Sequence, residues 1–201
     1  MAEVPEKNRH QCPNCRRTIV LGSELMHQDN KKRNFLPVNI AVLTVSDTRT
    51  LADDKSGDTL VHRIEGAGHI VVDRKIVKDD KTNLVKMLSN WIFRDDIDVI
   101  VSTGGTGVTG RDITPEAFQE VCEKDIPGFG ELFRMLSFEK IGTSTIQSRA
   151  MAGVAGNTYL FGLPGSPGAC KDAWDNILVH QLDYRFKPCN FVELMPRLKE
   201  K

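Results

Sequence analysis

From residue 38 onward, apolar positions alternate between short dense runs and longer stretches in which they recur every three or four residues. The run NIAVLTV at 39–45 is apolar without alternation, which predicts a strand buried on both faces. Residues 56–67 carry helical spacing closed by Gly68, and residues 70–77 predict a second strand. Asp79 or Asp80 is placed to cap a helix reaching about Arg94, and residues 98–102 predict a short buried strand. The tripeptide TPE at 114–116 opens another helix, with a capping hydroxyl on Thr114 and proline at the first helical position. Beyond it, 128–138 and 145–151 predict helices and 158–163 a strand, followed by a long amphipathic helix from Ser166 or Pro167 to Leu182. Met87 with Trp91, and Phe129 with Phe133 and Phe138, fall at roughly helical intervals and are assigned to packing faces.

Strands separated by helices of this length predict an α/β fold: a three-layer, doubly wound, mostly parallel sheet, since parallel neighbours need crossover connections. Ligands of such sheets sit beyond the carboxyl ends of the strands. Three loops converge on that edge, carrying Ser46 and Asp47, then Gly104, Gly105, Thr106 and Gly107, then Gly165 and Ser166.

Composition narrows the partners. Lys and Arg total 27, matched by 27 Asp and Glu, so no overall charge draws the chain to nucleic acid or an anionic membrane, and any anion must be bound locally. No apolar run approaches the roughly 20 residues of a bilayer span, and the opening residues show no secretory apolar stretch, so a cytoplasmic location is expected. Residues 1–35 are polar and read as an extension preceding a domain at 36–201. Within the extension Cys12 and Cys15 have CxxC spacing, with His10 and His27 nearby. Four such ligands would close a zinc site, and a disordered tail is the alternative. Five cysteines without an export signal fit a reducing compartment.

The strongest chemical signal is STGGTGVTGRD at 102–112, which holds four glycines in the seven residues 104–110. Glycines let a chain turn tightly and aim backbone N–H groups at an anion, and a following helix N-terminus adds partial positive charge. The loop lacks the lysine of a P-loop. GTGVTG at 105–110 spells GxGxxG, yet the helix start at Thr114 lies past the last glycine, which argues against a dinucleotide site. Asp112 beside such a loop needs an explanation. A carboxylate about 4 Å from a phosphate charge costs on the order of 4 kcal/mol at an effective dielectric near 20. Mg²⁺ bridging the two removes that cost and supports phosphoryl or nucleotidyl transfer; pairing with Arg111 or capping the Thr114 helix are the plain alternatives. Asp79 poses the same choice between cap and second metal ligand. Ser46, Asp47 and Asp54 follow the first strand and suit either capping or ligand binding.

Read together and in order, TVSD at 44–47, DKSG at 54–57, TGGTG at 103–107, RDITPEA at 111–117, PGFG at 127–130, QSR at 147–149 and LPGSP at 163–167 resemble the MoaB/MogA family of molybdenum cofactor biosynthesis. The resemblance covers about 38–197 and implies a molybdopterin-binding, MogA-like domain assembling as a homotrimer or hexamer. Its catalytic branch uses Mg²⁺ and ATP to attach AMP to the terminal phosphate of molybdopterin. By motif position Asp112 and Asp79 carry over as the Mg²⁺-associated catalytic carboxylates. The glycine loop, Thr114, Ser148, Gly165 and Ser166 carry over to phosphate or pterin binding. FRMLSF at 133–138, IGTS at 141–144 and KPCNF at 187–191 are similar to the MoaB branch, whose alternative role is to bind molybdopterin without turnover. Lys78 stands where catalytic relatives carry proline, and the cysteine-bearing extension lies outside the family pattern.

Overall fold

A computed structural model describes residues 33–200. The candidate zinc ligands His10, Cys12, Cys15 and His27 therefore lie outside the described residues. Six strands form one sheet in the order β2-β1-β3-β6-β5-β4: β1 is Asn39–Val45, β2 Ile70–Val77, β3 Val99–Thr103, β4 Lys124–Asp125, β5 Met151–Ala155 and β6 Thr158–Leu163. The pairs β1/β2, β1/β3 and β3/β6 are parallel, whereas β4 and β5 run antiparallel at one edge. This is the expected three-layer α/β sheet with an antiparallel margin.

The unalternated apolar strands have helices on both sides. Ile40 and Val42 of β1, Val101 of β3 and Phe161 of β6 face one cluster, shared with Leu60 and Ile64 of α1 (Lys55–Gly66), Phe129 and Phe133 of α4 (Pro127–Ile141) and Cys170 of α5 (Pro167–Ala173). Ala41, Leu43, Ile100 and Leu160 face the other, shared with Leu84, Leu88 and Trp91 of α2 (Lys81–Ile92) and Phe118 of α3 (Thr114–Val121). Leu60, Ile64, Leu84 and Leu88 are fully buried. Each such side chain contributes about 1.5–3 kcal/mol relative to exposure.

Three sequence expectations are corrected. Residues 145–151 are not a helix: a 3-10 turn over Gly142–Gln147 ends there and β5 begins at Met151. β5 reverses into β6 through Gly156 and Asn157, with Gly156 at φ 58°, the conformation that two-residue hairpin turns require. The long helix after Ser166 is interrupted by a π-helical turn, Trp174–Leu178, before α6 (Val179–Gln181). Finally, Phe138 does not share the buried face of Phe129 and Phe133; it is 56% exposed. A last short helix, α7 (Phe191–Leu194), follows, and among the described residues no helix is long and apolar enough to cross a membrane.

His69, between α1 and β2, is nearly buried against Phe35 and Trp174, and its Nδ1 accepts the Val38 N–H at 3.2 Å. Burial lowers its pKa from 6.5, against the opposing pull of the Asp183 carboxylate. A base depressed in the folded state contributes stability that is present above its unfolded pKa and lost as pH falls through its folded value. The urea midpoint is thus expected to decline as pH drops below 6.5, and His69→Gln should flatten that part of the profile. An unchanged slope in the variant would reassign the effect to other groups.

Candidate functional site

The glycine loop after β3 is held by close approaches on both sides. Gly104 has φ 103°, and a Cβ there would lie 2.2 Å from the carbonyl oxygen of Val45 at the end of β1. Gly105 has φ 63°, and its Cβ would lie 2.5 Å from the Thr114 hydroxyl. Both positions therefore demand glycine. The Gly104 N–H donates to the Leu163 carbonyl at the end of β6 (3.0 Å), and Gly165 is pressed against Gly104, so the loops after β1, β3 and β6 meet at one point.

Thr114 is fully buried behind this loop and does not face a ligand. Its hydroxyl donates to the Gly104 carbonyl (2.7 Å) and its N–H to the Gly105 carbonyl (2.9 Å). It is the first residue of α3, not its cap, and Pro115 follows it, so the first two positions of α3 offer no free N–H to an anion. The backbone N–H groups left to meet a ligand here are those of the loop itself.

The two carboxylates singled out by sequence are freed from their ordinary tasks. Asp80, not Asp79, caps α2, accepting from the Asn83 N–H at 2.8 Å. Asp112 neither pairs with Arg111 nor caps α3; its Oδ2 accepts from the Thr109 N–H (2.8 Å) and hydroxyl (2.6 Å), and Arg111 instead binds Asp47. Burial raises the Asp112 pKa, but the hydrogen bonds from Thr109 and Gly107 outweigh it and hold the group below the usual carboxylate value. Asp79 moves the other way, raised by burial and then by the neighbouring Asp47 carboxylate, with a further contribution from Asp112. Among the described residues Asp79 forms no ion pair.

Asp47 links two loops: it accepts from the Asp79 N–H at 3.2 Å and from the Arg111 guanidinium, whose hydrogen bond lowers its pKa. Asp54 is buried and turned away. It accepts from the Thr44 hydroxyl (2.7 Å), the Gly57 N–H (3.0 Å) and Arg74 (3.0 Å), which fixes the start of α1. Ser46 accepts the N–H groups of Thr48 and Arg49, and Ser166 caps α5 by accepting from the Ala169 N–H.

What remains open is a cleft of about 540 Å³ at the carboxyl edge. It gathers Ser46, Asp79, Gly104, Gly105, Thr106, Gly107, Asp112, Ser148 and Gly165; Asp47, Asp54, Thr114 and Ser166 do not line it. A slightly larger hollow of about 640 Å³ lies between α2, α3 and the β5–β6 turn. Its charged lining is largely committed to structure, with Arg94 on Asp73 and Asp96, Asp98 on the Asn39 N–H and Glu123 on the Gly156 N–H. Chemistry, not size, distinguishes the first cleft.

Sequence reasoning left out three residues of this cleft region. Arg49 donates to the Ser56 hydroxyl (3.0 Å) and the Gly165 carbonyl (2.8 Å), tying the loop after β1 to that after β6. Gln147 lines the cleft beside Ser148, and Arg149 binds the glycine loop from outside. The QSR tripeptide at 147–149 carried the signal for the last two.

Residues 41–184 match a domain family described as "Probable molybdopterin binding domain". The chain is 51% identical over 166 residues to the molybdenum cofactor biosynthesis protein B of Escherichia coli K12, covering 83% of this chain and 96% of that protein. It is 42% identical over 157 residues to the protein of the same name from Bacillus anthracis, covering 78% and 93%. Among solved structures, a molybdenum cofactor biosynthesis protein B superposes with a TM-score of 0.73 at 41% identity, covering 75% and 94%. The tungsten cofactor synthesizing protein MoaB from Pyrococcus furiosus does so with 0.63 at 37%, covering 71% and 91%. Since the matched segment runs from β1 past α6 and so contains every loop of the cleft, the chain belongs to the molybdopterin-binding MoaB/MogA family and serves molybdenum cofactor biosynthesis.

Proposed function

We propose that this protein is a molybdopterin adenylyltransferase, transferring AMP from Mg-ATP to the terminal phosphate of molybdopterin. The observation that carries this reading is the pair Asp79 and Asp112, both facing a cleft walled by a glycine loop and both released from capping and ion pairing. An anion loop alone needs no carboxylate; two of them beside phosphates would repel the ligand.

The residues fit Mg²⁺. The ion is commonly held by one or two carboxylates together with substrate phosphates, and Asp79 and Asp112 line one cleft without an ion pair of their own among the described residues. Asp79 and Asp112 would hold the ion, which when bound neutralises phosphate charge and makes phosphorus more electrophilic. The amides of Gly105 and Thr106 would orient the phosphates, and Ser148 offers a hydroxyl in the same cleft. In the reaction a molybdopterin phosphate oxygen bonds to the α-phosphorus of ATP, the bond to the β-phosphate oxygen breaks, and pyrophosphate leaves. No proton needs to be taken from the nucleophile, so the chain's contribution is orientation and charge compensation. On this reading the protein works in the cytoplasm, where ATP is supplied.

Incubation with molybdopterin, ATP and Mg²⁺ tests the proposal by the mass of adenylylated molybdopterin and by pyrophosphate release. Product is expected only with all three present. Binding of molybdopterin with no product over many turnovers' time would replace the enzyme with a carrier.

We also propose a homotrimer or hexamer, formed through the outer face of α4. Met135, Phe138 and Ile141 are each 56% exposed, and Ile146 just beyond is 81% exposed, an apolar surface that soluble domains ordinarily cover with a partner. Phe138→Glu is expected to shift sedimentation toward monomers; an unchanged mass would place the interface elsewhere.

A further inference from the structure

Arg149 follows the 3-10 turn and reaches across to the glycine loop without entering the cleft. Its Nε donates to the Gly107 carbonyl at 2.6 Å and its Nη2 to the Asp112 carbonyl at 2.9 Å, while Nη1 is paired with Glu116 of α3. Its backbone N–H donates to the Thr106 carbonyl at 2.9 Å. The two carbonyls on the guanidinium belong to the residues that bound the 107–112 segment, so one planar side chain ties both ends together. Inside the segment, Thr109 holds the Asp112 carboxylate. The backbone of Asp112 is thus fixed from outside and its side chain from within.

We propose that Arg149, with Glu116 as its counter-charge, is a positioning residue that keeps the Asp112 carboxylate turned to the cleft. The inference rests on the reading of Asp112 as a ligand-facing carboxylate. Lysine cannot replace the arginine, because a point charge on a flexible stem does not span two carbonyls and a carboxylate in one plane. The side chains of Arg149 and Glu116 are 32% and 43% exposed, and a pair so open to solvent adds little to folding. Its loss should be felt in the loop and not across the domain.

The test compares the full chain with Arg149→Lys and Glu116→Gln. Three readouts are taken: amide hydrogen exchange at Thr109, the thermal midpoint, and the Mg²⁺ concentration giving half-maximal product. In Arg149→Lys the Thr109 amide is expected to exchange faster. The half-maximal Mg²⁺ should rise about 10- to 100-fold, the range for residues that orient metal ligands, with the rate largely recovered at saturating Mg²⁺. The thermal midpoint should stay within about 4 °C. Glu116→Gln should move all three in the same directions by less, and it decides the matter should the lysine variant not fold. Unaltered Thr109 exchange would overturn the proposal, as would a rate loss that tracks a fall in midpoint with Mg²⁺ dependence unchanged. If the parent chain makes no product, the adenylyltransferase reading fails by itself, and Thr109 exchange still decides the role of Arg149.

Discussion

Asp112→Asn should reduce adenylylated molybdopterin by at least about 100-fold, at the upper end of losses seen on disturbing metal-site partners, while leaving the fold intact. Asparagine keeps the shape of the side chain, and its carbonyl oxygen can still accept from the Thr109 N–H and hydroxyl that now hold Oδ2. What disappears is the charge. Without Mg²⁺ the substitution should leave molybdopterin affinity unchanged or improve it, because a carboxylate near phosphate is repulsive unless a cation lies between them. With Mg²⁺ and ATP present, turnover should be lost. The opposite signs of the two effects separate a metal-linked role from a simple binding contact, which would weaken affinity in both conditions. Product at the parent rate from Asp112→Asn would remove this carboxylate from the chemistry.

Much of this arrangement was legible in the chain because parallel sheets write themselves plainly. The continuous apolar runs of β1 and β3 and the helical spacing of α1 and α2 follow from burial of the strands on both faces. The convergence of the loops after β1, β3 and β6 follows from the parallel topology once those strands are placed. The antiparallel margin was harder to see. MAGVA at 151–155 has Ala and Gly at three of its five positions and so carries little strand signal, and its Gly153 lies where a Cβ would meet Cys122 at 2.6 Å. Gly156 and Asn157 between two apolar runs were the available clue to the hairpin.

Side-chain roles that the sequence left open were decided by contacts that spacing alone does not show. Choosing between Asp79 and Asp80 as cap depends on which carboxylate meets the Asn83 N–H, and spacing differs by one residue only. That Arg111 prefers Asp47 to its neighbour Asp112 depends on β1 and β3 lying side by side, 64 residues apart in sequence at the contact. Thr114 reads as a capping hydroxyl in the linear pattern, but the tight turn at Gly104 brings a carbonyl within its reach and takes the hydroxyl first. Local patterns name the residues able to do a job; the tertiary contacts decide which are already occupied.

Gly104→Ala is expected to cost about 2–5 kcal/mol of stability, combining a left-handed backbone with an overpacked contact. The added methyl would meet the Val45 carbonyl oxygen at 2.2 Å, and that atom belongs to the end of a central strand with little freedom to withdraw. Relief must come from the loop, which would lift away from β1 and from Gly165, opening the junction that closes the cleft. Molybdopterin binding should therefore fall along with the urea midpoint. Gly110→Ala supplies the comparison: a Cβ there meets nothing within 4 Å and its φ is not positive, so its stability should stay within about 0.5 kcal/mol of the parent. The contrast matters because both glycines lie in the same seven-residue stretch. If the stretch were only a flexible turn, the two substitutions would cost alike. A large loss at Gly104 with tolerance at Gly110 is the signature of a loop wedged between strand ends, where backbone amides are held in place before the ligand arrives. Equal tolerance at both positions would mean that the loop can move off β1 at no cost, and the preformed anion site would not stand.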